Sequence, residues 1–263
     1  IAVTLAAINL AACDDDGGGG DPTPGSTYAV PTDADPDATA EAICGEEFIF
    51  DVQTHHVDPE GPWVNESPAT AGFFRTFLGG DPDCTEADKL DCLSRYYYAH
   101  DIFLESDTTI AVLSDTPSGR DTEDPLDFDQ MRRTRDLMNQ LSPPDSGRLR
   151  LHSVVVPNAG SVQAQLDRMQ ARAENLDVAA WKVYTPYGPD GNGWFLDDPV
   201  LGIPVIEQAR RVGVKTICAH KGLPLFGFDR ENASPRDIGV VARMYPDVNF
   251  VVYHSGWYPG VRE

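Results

Sequence analysis

Three histidines stand at the ends of three β-like runs: His55 in "FIFDVQTHHV", His220 in "TICAHKGLP" and His254 in "VVYHSGW". Imidazoles converging in a shielded mouth are the usual way to hold zinc or a similar divalent ion while leaving positions open for water. Side chains alternate along a strand. Asp51, Gln53 and His55 therefore share a face, as do Thr216, Cys218 and His220, and Phe250, Val252 and His254. If these faces point inward, the three imidazoles converge. Gln53 stands where a first metal-binding imidazole would be expected, and an amide oxygen is a neutral, weak donor towards zinc. Three outcomes follow: a weaker or differently selective site, substitution by His56, or a site that has lost its metal. His56 falls on the opposite strand face from His55, so substitution requires the strand to end or kink there.

Other side chains are weaker candidates. Lys182 in "AAWKVYTP" either pairs with a carboxylate or contacts substrate inside the mouth. Trp181, Trp194 and Trp257, with Tyr184 and Tyr187, either line a pocket or pack the core. His100 reads as a hydrogen-bonded surface or core residue, and His152, in mid-strand, as core or helix-facing.

The elements that must position these residues alternate in type. Strand candidates cover 47–53, 108–113, 149–156, 178–184, 214–219 and 249–253. Helical periodicity fills "DFDQMRRTRDLMNQL", "SVQAQLDRMQARAENL" and "PVLGIPVIEQARRVG" between them. Asp127, Ser161 and Asp198 are the expected N-caps. About six β-then-α units imply a parallel sheet, because parallel neighbours need crossover helices. No G-x-G-x-x-G or P-loop pattern follows the first strand, whereas polar and histidine residues follow several strands, where barrel enzymes build their sites. The expected fold is therefore α/β, a TIM-type (β/α)8 barrel truncated after its sixth strand, occupying 44–263. Residues 57–107, between the first two strands, are expected to form a lid-like insertion over the mouth.

The barrel is preceded by two further segments. The apolar start "IAVTLAAINLAAC" reads as part of a secretory signal over 1–12, too short to span a bilayer as a mature helix. "LAAC" resembles a bacterial lipobox, which makes Cys13 the expected lipidation site. Residues 13–43, rich in Gly, Pro, Asp and Thr, cannot bury enough surface to offset their ordering entropy and read as a disordered tether. Cys84 and Cys92 could pair with each other, or Cys44 could take one of them. Cys218 reads as a small core residue. The chain has 20 Lys and Arg against 42 Asp and Glu, a formal charge of −22. That balance repels nucleic acid and other polyanions.

"FDVQTHHV", "WKVYTPYG", "CAHKGLP" and "VVYHSGW", in this order on the first, fourth, fifth and sixth strands, resemble the amidohydrolase-related family. That branch of metal-dependent barrel hydrolases includes the aminocarboxymuconate semialdehyde and resorcylate-type decarboxylases. The resemblance runs from about residue 48 to the end of the chain. It implies metal ligation by His55 and His220, with Gln53 in the place of the family's first ligand. His254 is implied as the acid/base or substrate-contacting residue; Lys182 and Trp257 are taken as substrate contacts from their own positions near the mouth, not from the resemblance. The family's last ligand, an aspartate after the eighth strand, has no counterpart here. The implied activity is metal-dependent hydrolysis of a small organic substrate by metal-activated water, with zinc as the expected ion. A decarboxylase on the same scaffold, or a metal-free binding lipoprotein, are the alternatives. The expected location is the cell envelope, with the membrane touched only through the lipid at Cys13, and homo-oligomers are compatible with the sequence.

Overall fold

The computed structural model describes residues 48–78, 84–142, 146–175, 178–189, 191–224 and 227–257. Residues 1–12 and 13–43, for which a signal segment and a tether were expected, lie outside the described residues, as do Cys13 and Cys44.

Six strands form one all-parallel sheet in sequential order: β1 (Ile49–Thr54), β2 (Thr108–Ser114), β3 (Leu149–Val155), β4 (Ala180–Val183), β5 (Thr216–His220) and β6 (Asn249–Tyr253). Each lies within two residues of its expected position. The order has no reversal, whereas a doubly wound sheet turns back at a switch point. The sheet is also strongly curled. Laid flat, β1 and β6 would be about 24 Å apart at the usual strand spacing. Instead Tyr253 Oη, at the end of β6, donates to Val52 O on β1 at 2.5 Å. The result is a curled half-barrel of alternating strands and helices.

The helices cover its outer face. After β1 come two short helices, α1 (Trp63–Glu66) and α2 (Pro68–Phe73), and then α3 (Arg95–Phe103). α4 (Phe128–Leu141) follows β2, α5 (Val162–Asn175) follows β3, α6 (Gly202–Arg211) follows β4, and α7 (Ile238–Met244) follows β5. Two expected caps are present: Asp127 Oδ1 accepts from Gln130 N at 2.9 Å, and Ser161 Oγ accepts from Ala164 N at 3.4 Å. Asp198 instead caps a turn, accepting from Val200 N and Leu201 N, and α6 begins only at Gly202. There the chain passes so close to Leu196 O that a Cβ would sit 2.3 Å from it. The turn must finish before the helix can start.

The main core lies between sheet and helices. All seven β2 residues are buried. Burial on both faces explains the continuous apolar run in place of alternation. Trp181 and Val183 of β4 face the helices, and the Trp181 indole donates to Val214 O at 2.9 Å. Trp181 and the buried Trp194 are therefore core residues.

The segment after β1 divides in two. α3 is a crossover helix, sending Tyr98, Ala99 and Phe103 into the main core. Val57, Trp63, Ala71, Phe74 and Leu90 form a separate small cluster, with Trp63 and Phe74 edge to face at 5.6 Å. A Cys84–Cys92 disulfide staples this second unit, and Arg75 forks onto Asp88 inside the loop. So small a cluster supplies little burial of its own. Closing an eight-residue separation is worth about 2–3 kcal/mol by loop entropy. Reduction is expected to raise the rate of limited proteolysis within 57–93, and equal rates with and without reductant would contradict this.

Candidate functional site

The strand ends carry the candidate residues as follows. His55 continues the inner face of β1. Its Nδ1 lies 2.6 Å from Ser114 O, at the end of β2. A carbonyl can only accept, so the proton sits on Nδ1 and Nε2 keeps its lone pair. The Gln53 amide nitrogen donates to that Nε2 at 3.4 Å.

His220 closes β5 on the inner face, where Cys218 packs against Ala180 and Tyr253. Its Nε2 donates to Leu223 O at 3.1 Å, which leaves the lone pair on Nδ1. His254 Nε2 lies 3.1 Å from that Nδ1 and donates to it. Tyr184 stacks on the His220 ring at 5.4 Å, and Phe228 meets it edge-on at 5.1 Å.

His254 reaches this place by a different route from the one expected. In the parallel register His220 pairs with Tyr253 and Cys218 with Val251, so the inner face of β6 is Val251 and Tyr253. Phe250 packs on the helix side. Simple alternation would send His254 outward as well. It turns in because His254 and Ser255 adopt positive φ, 56° and 51°, a conformation costly for residues other than glycine. The opposing loop is equally constrained: Leu223 has φ 36°, and its N–H donates to Trp257 O at 2.6 Å. Gly222 has φ 78°, and a Cβ there would sit 2.3 Å from Trp257 N. Trp257 thus contributes its backbone to the rim, while the residue as a whole is 58% exposed.

His56 does not substitute for Gln53. It points to the helix side, with Val57 O at 3.1 Å and Thr134 Oγ1 at 2.8 Å occupying its two nitrogens. His152 faces the barrel interior, with Nδ1 3.5 Å from Tyr253 Oη. His100 is exposed beside Asp101 and Glu105. Among the described residues, this surface trio is the one group whose metal-binding atoms all lie within 4.8 Å of one another. The strand-end histidines stand wider apart, as a contacting His220–His254 pair facing a Gln53–His55 pair.

Lys182 lies on the inner face of β4, wholly buried, with its Nζ 3.4 Å from the centre of the Tyr253 ring and 4.9 Å from that of Tyr184. Among the described residues it has no hydrogen-bond partner, and the carboxylate pairing expected as one alternative is not formed with any of them. Burial lowers its pKa to about 7. The imidazoles are also held neutral. Removal from water brings His55 down to about 4 and His220 to about 3, and lowers His254, with Lys182 adding repulsion in each case. A partly open cavity of about 30 Å³ beside the ends of β2 and β3, lined by Asp115, Asp124, Gln165 and Arg172, does not include the histidines.

The backbone acceptors Ser114 O and Leu223 O, which fix the two tautomers, leave no trace in residue type. Only their positions, at a strand end and three residues past one, hint at them.

Neutral buried imidazoles have a consequence for stability. His56 and His152 have pKa values near 4 and 3 against an ordinary 6.5. Below pH 6.5 the unfolded chain takes up protons that the folded chain refuses. Their stabilisation is therefore complete above that pH and lost as pH falls towards the folded values. At pH 5.5 each costs about 1.4 kcal/mol. The urea midpoint is expected to drop between pH 7.5 and 5.5, and a flat profile would contradict the burial of neutral imidazoles.

The chain is an α/β protein whose curled, all-parallel six-stranded sheet is consistent with part of a TIM-like barrel, with histidines at three of its strand ends. No protein-family model matches the chain, and no curated protein matches it.

Proposed function

We propose that this chain is a metal-dependent hydrolase of the amidohydrolase-related type, acting on a small organic substrate, with a divalent ion, zinc, held by His55 and His220 beside Gln53. One observation carries the reading. Two imidazoles on separate strands each commit one nitrogen to a backbone carbonyl and keep the lone pair of the other beside further candidate residues. Imidazole donors of this kind fit a borderline ion, and their depressed pKa values mean that no proton need leave at neutral pH.

When bound, the ion supplies Lewis acidity and a water of lowered pKa. Gln53 has to turn its amide to offer Oε1. His254, beside His220, is placed to take and return a proton in the mouth, and its hydrogen bond to His220 Nδ1 would give way to an ion held on that nitrogen. Tyr184 and Phe228 restrict rotation of the His220 ring. Anchoring in the cell envelope through a lipid at Cys13 belongs to the same reading. No helix among the described residues is long and apolar enough to cross a membrane.

A metal-free binding protein is the second reading. It is favoured by the hydrogen bonds from Gln53 to His55 and from His254 to His220, which satisfy both lone pairs without an ion. Metal analysis of dialysed protein, with assays of ester and amide cleavage before and after chelation, separates the two. Stoichiometric zinc with chelator-sensitive cleavage supports the hydrolase. Absence of any stoichiometric divalent ion sinks it, and carbon dioxide release without ester or amide cleavage redirects it to a decarboxylase.

A further inference from the structure

Lys182 is an anomaly in this chain. The protein carries 42 acidic residues and a formal charge of −22. Yet among the described residues its wholly buried Lys182 Nζ meets neither a carboxylate nor any other hydrogen-bond partner. The other deeply buried lysine, Lys221, has Asp237 Oδ2 at 2.8 Å and Asn232 O at 3.2 Å. A buried amine without such partners is costly, because the desolvation of its donors is not offset.

The groups facing Lys182 are His55, His152, Cys218, His220, Tyr253 and His254, with Tyr184 on its own strand. None carries a negative charge at neutral pH. Each of the four histidines is made harder to protonate by Lys182. Lys182 and these imidazoles therefore form a basic cluster inside an acidic protein, with Asp51 of β1 acting on Tyr253 beside it. Gln53, His55 and His254 are only part-buried, so the mouth above it meets solvent.

We propose that the missing counter-charge arrives with the substrate: Lys182 is the anion-recognition group of the site, receiving a carboxylate of a small carboxylate-bearing molecule. The two tyrosine rings flank the amine and leave the charge to be met by the ligand. Among otherwise equal esters or amides, those with a free carboxylate are then preferred. The inference deepens the hydrolase reading, but anion binding can be measured without turnover, so each can fail separately.

The probe is malonate, with sodium chloride at matched ionic strength as control. In the wild-type protein labelled with ¹³C-lysine, one Cε signal is expected to titrate near neutrality and to move up by about one to three pKa units at saturating malonate. Chloride should leave it in place. Lys182→Met, close in length and uncharged, should lose that signal and the malonate-induced rise in melting temperature. A lysine signal unmoved by malonate, a rise equalled by chloride, or a Lys182→Met protein with undiminished malonate binding would each overturn the proposal. Should Lys182→Met not fold, the wild-type titration alone decides. A malonate response in protein that holds no metal keeps the anion site and discards the hydrolase. Metal-dependent turnover without the response does the reverse.

Discussion

His220→Ala is expected to abolish metal-dependent turnover and to weaken zinc binding by well over about 100-fold, since loss of a group that merely orients a ligand already costs 10–100-fold. The expectation rests on the centrality of this side chain. His220 contacts Leu223 O through Nε2, His254 through Nδ1, Tyr184 by stacking and Phe228 edge to face. The readouts are metal content after dialysis and turnover of whichever ester or amide the wild type cleaves. A variant that keeps both would show that the strand-end histidines hold no catalytic ion. His220 is buried, so the melting temperature must be followed in parallel. A folded, metal-poor variant is the diagnostic outcome.

The second large effect concerns the next residue. Lys221 and Asp237 are paired at 2.8 Å with both side chains fully buried. Asp237 Oδ2 also accepts from Leu196 N at 2.8 Å, tying the loop after β4 to the start of α7. Lys221→Met would leave Asp237 as an uncompensated charge in the interior. Breaking one side of such a pair costs about 3–5 kcal/mol, far more than an exposed ion pair is worth. Lys221 also holds Asn232 O and so fixes the loop that carries Leu223, the acceptor for His220. Zinc affinity is expected to fall by about 10–100-fold alongside stability. Urea unfolding measures the first and a zinc titration the second. Losses no larger than those of Lys215→Met, whose partner Asp247 is exposed, would refute the argument.

Much of this was legible in the sequence, and what was not has identifiable physical causes. Strand positions followed from β-branched runs, most simply for β2 and β4, because strands buried on both faces have little freedom in composition. Asp127 and Ser161 were readable as caps because capping is local. Asp198 was misassigned because Gly202 must first pass Leu196, a contact that no local pattern reveals. His254 meets His220, but not through the strand alternation that predicted it. Alternation assigns faces only while the strand continues, and two left-handed residues end it. That Trp257 contributes its backbone to the rim could not be read from its residue type. The Cys84–Cys92 pairing was one of two open options, and loop geometry decided it. Neither the carbonyl partners of His55 and His220 nor the isolation of Lys182 could be read from one dimension. Both depend on which atoms meet across the curled sheet.

The hydrogen bond from Tyr253 to Val52 spans 201 residues of chain. Bringing ends that far apart together carries a loop-closure cost of about 5 kcal/mol, which nearer contacts must offset first. The junction therefore belongs to the late stages of folding, and with it the approach of His254 to the strands that carry the other imidazoles. Until β6 docks, His55 stands on a sheet without its opposing wall, and Lys182 lacks the Tyr253 ring that covers it. The candidate site is thus assembled last, after the scaffold beneath it has formed.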